Sequence, residues 1–159
     1  TTLVCAIVTA LSAAGMRIGT LKRDAHDSEF DTPDTDSWRH RQAGAAASAI
    51  SSPSRSAWFD EAAASLDELL GGMRSRGMDG VIVEGFKDGP YPKVAMLRNS
   101  KDGEDYGLLD TPGIVAVVLR DPAPDLREAA AHRGIPVYAG TLPPDDTLID
   151  NIVKWFIQG

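Results

Sequence analysis

Asp79-Gly80-Val81-Ile82-Val83-Glu84-Gly85-Phe86-Lys87 holds an unbroken apolar run that begins after a turn signal and stops on an acid. Val, Ile and Val in succession, with no polar alternation, form the pattern of a parallel strand buried on both faces. Open α/β sheets expose their chemistry beyond the carboxyl ends of such strands. Glu84 stands at that end, Gly85 permits a tight turn, and Phe86 and Lys87 follow. A carboxylate so placed can hold Mg²⁺ through water or orient water near a terminal phosphate. It can equally cap a loop amide, and the spacing leaves both readings open.

Working towards the N-terminus, Arg17–Lys22 reads as a second buried strand. It opens into the densest run of ionisable side chains in the chain: Lys22-Arg23-Asp24-Ala25-His26-Asp27, then Asp31 through Arg41. Two of the 3 histidines lie here. Cations suit phosphoryl oxygens and carboxylates suit a hard divalent ion, so the mixture fits a phosphate-plus-metal site. His26-Asp27 matches a metal or acid/base pair, and also a solvated loop. Pro33 turns Thr32 away from helix. Asp36 or Ser37 then reads as the N-cap of a short helix ending near Gly44. Its Arg39 and Arg41 either reach phosphate or form an exposed cationic face.

The remaining pattern alternates helix and strand. Leu3, Val4, Ile7, Val8 and Leu11 predict a helix to Ala14, with Gly15 as its stop. Residues 45–51 and 56–60 are strand candidates around Ser52-Pro53-Ser54. Ser65–Arg76 predicts a helix, Pro92–Leu97 and Ile114–Leu119 strands, and Asn99–Gly113 a polar connection. A helix over Asp125–His132, a strand over Ile135–Tyr138 and a closing helix over Thr147–Ile157 complete it. The closing helix is expected to turn Leu148, Ile149, Ile152, Val153, Phe156 and Ile157 inward, with Trp155 and Phe156 in core or dimer packing. Trp38 and Trp58 are expected as buried anchors and Cys5 as core. This order implies one α/β domain over 1–159 with a mostly parallel sheet.

Bulk properties exclude several classes. A net charge of −7 opposes a surface for non-specific nucleic-acid binding. A single cysteine allows no internal disulfide and no cysteine-based zinc framework, and it suits a reducing cytoplasm. No apolar run approaches the roughly 20 residues that cross a bilayer, and no signal peptide is evident. No Gly-x-Gly-x-x-Gly follows a strand, which argues against a Rossmann dinucleotide binder. The chain opens inside a helix without an initiator Met, so its first structural unit is expected to begin upstream of Thr1. Thr1-Thr2-Leu3 fits an ordinary N-cap or the hydroxyl end of a phosphate-binding loop.

Together these segments resemble the molybdopterin-guanine dinucleotide biosynthesis protein B family, GTP-binding P-loop proteins of molybdenum cofactor assembly. The resemblance rests on Thr1-Thr2-Leu3, Gly19 through Asp27, Asp31-Thr32-Pro33, Asp36-Ser37-Trp38-Arg39-His40-Arg41-Gln42-Ala43-Gly44-Ala45, Val83-Glu84-Gly85-Phe86-Lys87 and Pro92-Lys93. It covers about residues 1–98. The combination of the Asp-Ser-aromatic-Arg-His-Arg segment with Val-Glu-Gly-Phe-Lys makes it specific.

The resemblance implies a P-loop NTPase-like fold, GTP and Mg²⁺ as ligands, weak GTP hydrolysis, a homodimer, and partnership with the guanylyltransferase that joins GMP to molybdopterin. By position, Thr1 resembles the P-loop hydroxyl on the metal, Asp24 the strand-end acid facing metal or attacking water, and Glu84 the Walker-B-type acid. Thr2, Lys22, His26, Asp27, Asp36, Arg39 and Lys87 resemble the lining of the nucleotide mouth. Asp121 sits where related GTPases place an acid against guanine, although no Asn-Lys-x-Asp pattern accompanies it. Arg23 and Ala25 depart from the residues frequent in the family. The family's first strand and P-loop are not among residues 1–159, and the resemblance places them upstream of Thr1. A non-catalytic adapter docking the guanylyltransferase or a molybdoenzyme, and another metal-cofactor maturation NTPase, are the rival readings. Whether GTP or molybdopterin is the cargo stays open.

Overall fold

The computed structural model describes residues 1–26, 28–98, 104–120, 122–141, 144 and 146–158. In chain order the elements are α1 (Thr2–Ala13), β1 (Ile18–Lys22), α2 (Asp36–Gln42), β2 (Ala47–Ser51), β3 (Ser56–Asp60), α3 (Leu66–Ser75) and β4 (Gly80–Glu84). β5 (Lys93–Leu97), α4 (Glu104–Leu109), β6 (Ile114–Leu119), α5 (Pro124–His132), β7 (Val137–Ala139) and α6 (Asp146–Gln158) follow. The structure is mixed α/β, with parallel strands and flanking helices, as the alternation implied.

The sheet is divided. β1 and β4 form one parallel pair, with Ile18 opposite Gly80 and Lys22 opposite Glu84. β5, β6 and β7 form a parallel trio. β2 and β3 stand apart as an antiparallel hairpin, with Ala49 opposite Trp58. Their connection is four residues long, too short for a parallel crossover. Both the Ser52 amide and its hydroxyl donate to the Arg55 carbonyl and close the turn, at 2.8 and 3.0 Å.

β6 is the doubly buried strand. Val117 and Leu119 enter one apolar cluster with Leu97, Leu109, Leu126 and Ala130. Val118 enters the other, with Ile7 and Leu11 of α1 and Leu148 and Ile152 of α6. The Val81–Val83 run, expected to be buried on both faces, is half-buried throughout, because β4 is paired on one edge only. Gly80 is required by packing: an added Cβ would collide with the Phe156 ring, which α6 lays against the start of β4.

Other expectations are corrected. Residues within the anticipated polar connection form α4, because Leu109 buries itself in the first cluster and is 3% exposed. The N-cap of α2 is Thr35, whose hydroxyl accepts from the Trp38 amide, while Ser37 is buried inside the helix. Trp58 is no buried anchor but is 64% exposed on the hairpin. Cys5 is exposed, being about 200° around α1 from the inward Ile7 at 100° per residue. Ile157 turns outward at the last turn of α6. Among the described residues no helix is long and apolar enough to cross a membrane.

Candidate functional site

The ends of β1 and β4 and the start of α1 meet at one place. In the β1–β4 register Lys22 is opposite Glu84, and the Arg23 amide donates to the Glu84 carbonyl at 2.9 Å. Lys22, Asp24 and Glu84 therefore stand at adjoining strand tips, as the sequence led one to expect. The start of α1 joins them: the Thr1 nitrogen lies 3.9 Å from Glu84 Oε1. Thr1 occupies the N-cap position, yet its hydroxyl makes no capping hydrogen bond, so the helix does not consume it. Thr2 is the first helical residue, where backbone amides carry partial positive charge.

Asp24 closes an Asx-type turn. The His26 amide donates to Asp24 Oδ1 at 3.1 Å. That bond, then one from the Ser28 hydroxyl, holds the Asp24 carboxyl below its ordinary range against an opposing desolvation; the Ala25 amide and the Lys22 charge add lesser lowering effects. Asp24 thus remains a carboxylate, suited to a cation and weak as a proton acceptor. His26 contributes its backbone here, while its side chain is exposed. Lys87 is exposed just beyond the Glu84 turn. Asp36 and Arg39 are exposed on α2, which packs on β2. Asp27 and Asp121 lie outside the described residues.

Arg41 corrects the phosphate reading of its helix. Its guanidinium donates to Glu61 Oε1 and to Glu29 Oε1, each at 2.6 Å, and lies 3.7 Å from Asp31 Oδ2. It also stacks over the Phe59 ring at 5.2 Å. Glu29 is held below the usual carboxylate range by the Asp31 amide and then by Arg41. Three acids and a ring thus commit Arg41 to joining the 24–36 loop to the hairpin, leaving it no phosphate to hold. The interleaving of Glu29, Asp31 and Arg41 was the available signal, but nothing in it shows that Glu61 folds back onto the same group.

Among the described residues no cluster of three or more His, Cys, Asp or Glu side chains could hold a metal by itself. Mg²⁺ in nucleotide sites takes one or two carboxylates and completes its shell with phosphate and water. Asp24 and Glu84, following adjoining strands, and Thr1 at the start of α1 are residues of the types such a site uses.

The sequence pattern of the family described as molybdopterin guanine dinucleotide synthesis protein B matches residues 1–120. An Escherichia coli (strain K12) protein named molybdopterin-guanine dinucleotide biosynthesis adapter protein is 33% identical over 126 residues, covering 77% of this chain and 72% of its own. The crystal structure of Bacillus subtilis MobB superposes with a TM-score of 0.77 at 25% identity, covering 96% of this chain and 88% of that one. The MobB homologue from Bacillus stearothermophilus shares the fold, with a TM-score of 0.70 at 24% identity, covering 99% of this chain and 90% of that one. Strand tips, helix start and these similarities agree: the chain belongs to the molybdopterin guanine dinucleotide synthesis protein B (MobB) family.

Proposed function

We propose that this protein serves molybdopterin guanine dinucleotide biosynthesis as an adapter that holds Mg²⁺ and GTP at the tips of β1 and β4. The observation carrying this reading is the approach of Glu84 to the N-cap residue of α1, 3.9 Å from Oε1 to the Thr1 nitrogen. In the proposal Thr1, Asp24 and Glu84 hold the metal, and Thr2, Lys22 and Lys87 face the phosphates. His26, Asp27, Asp36 and Arg39 line the mouth, and Asp121 approaches the base. Bound Mg²⁺ would neutralise phosphate charge. In the proposal hydrolysis is slow and incidental, with Asp24 and Glu84 orienting water near the terminal phosphate.

The remaining phosphate grip is assigned to a strand and Gly-rich loop preceding Thr1. Supporting this, β4 pairs only with β1 and β5 only with β6, so each presents an unpaired edge among the described residues. A parallel strand between them would satisfy both. The homodimer is assigned to the hairpin, since two strands alone are marginal in water and this pair leaves Trp58 and Ile50 exposed. The protein partner is the guanylyltransferase, and the compartment the cytoplasm.

Equilibrium binding of a fluorescent GTP analogue to the protein extended through its upstream residues tests the reading. Mg²⁺-dependent binding displaced by GTP more readily than by ATP, and lost in Glu84→Ala, is expected. Binding indifferent to Mg²⁺ and to Glu84 defeats it. Single-turnover hydrolysis with Asp24→Ala and Glu84→Ala separates the roles: a pure adapter keeps its partner affinity and shows no turnover to lose.

A further inference from the structure

Directly after Glu84 the backbone does something unusual. Gly85 has φ +95° and Phe86 has φ +51°. The left-handed region is open to glycine but costs a bulky side chain about 1–3 kcal/mol. Such a conformation persists only when its surroundings impose it. The imposing group is Arg23 at the tip of β1. Its guanidinium lies over the Phe86 ring, 5.3 Å from the centroid. Its Cβ stands 2.8 Å from where a Gly85 side chain would begin, so the two tips are in close contact only because residue 85 has none.

The far end of the same turn is tied separately. The Gly89 amide donates to the Phe86 carbonyl at 3.1 Å. Lys93 Nζ donates to the carbonyls of Gly89, Tyr91 and Pro112 at 2.6, 3.0 and 2.9 Å.

We infer that Arg23 and Phe86 are positioning residues: their stack latches the Gly85–Phe86 turn in its left-handed form and so fixes the Glu84 carboxylate beside the start of α1. Arg23 acts through Phe86 and Glu84, and not as a phosphate ligand. The latch is a property of the chain's own residues; its consequence for ligand binding rests on the Mg²⁺–GTP reading above.

Two measurements on the full chain test it. In the ligand-free protein, the Gly89 amide reports turn closure by hydrogen exchange. Arg23→Ala and Phe86→Ala should each speed its exchange about threefold to fivefold, the worth of an exposed cation–π pair. The double variant should be no faster than either single one, and Phe86→Tyr should restore protection. Unchanged exchange in Arg23→Ala, or effects that multiply, overturns the latch. In the second measurement, Arg23→Ala should weaken Mg²⁺–GTP binding by a similar factor in the native background, and have no effect in Phe86→Ala. An equal loss in both backgrounds means that Arg23 works by its own charge on phosphate, and the inference fails. If the native chain binds no Mg²⁺–GTP, the proposed function falls while the exchange experiment still decides the latch.

Discussion

The β5–β6–β7 layer and the β2–β3 hairpin are both short-stranded sheets, held by different forces. In the first, Leu97, Val117 and Leu126 are between 0 and 1% exposed. In the second, Trp58 and Ile50 are 64% and 44% exposed, and Arg41 of α2 with its acids ties the hairpin to the preceding loop. Apolar burial scales with area and tolerates no gap, whereas an ionic hub specifies where a segment sits and is sensitive to loss of any one partner. One region supplies the fold. The other presents a surface.

Substitutions can break that contrast in graded steps. Leu126→Ala should cause the largest loss, about 2–5 kcal/mol, since it opens a cavity in a closed cluster; urea unfolding checks it. A loss below 1 kcal/mol there would erase the distinction. Ser65→Ala should cost about 1 kcal/mol by removing the N-cap of α3. Ser65 donates its hydroxyl and its amide to Glu68 and holds that carboxyl below its usual 4.5. A depressed pKa contributes stability that is present above 4.5 and lost as pH falls through the lower folded value. The gap between native and Ser65→Ala chains should therefore narrow in acid below 4.5, as unfolding midpoints at a series of pH values will show.

Arg41→Met should lower hydrogen-exchange protection across Ala47–Asp60 more than elsewhere, since it releases Glu29 and Glu61 and leaves the buried Asp31 carboxylate without its cation. If protection in β5–β6–β7 falls equally, the two regions are one cooperative unit. Trp58→Lys should have the smallest effect on folding, within about 0.5 kcal/mol for an exposed site. Its expected effect is on association: light scattering should find the variant shifted to monomer if the hairpin is the dimer surface.

Several elements were readable because local chemistry names them. Ser65 and Glu68 mark the start of α3 three residues apart, the register of a capping box. Glu84 and Asp24 were legible as strand-end acids, and the structure does bring Glu84 to Thr1. Trp58 was misread because a large apolar residue in a strand signals burial only when another layer covers that face. Arg41 was misread because its partner Glu61 lies twenty residues away in sequence. The Phe86 backbone had no sequence signal at all, as phenylalanine is among the residues least suited to positive φ.

Residue order alone determined the alternation of helix and strand, the acids at strand ends and the family, since each depends on spacing within a few positions. Which strand is buried on both faces, where Arg41 spends its charge, and how Arg23 meets Phe86 were decided only by tertiary structure. Those outcomes depend on which distant surfaces exclude water from one another, and no local pattern encodes that.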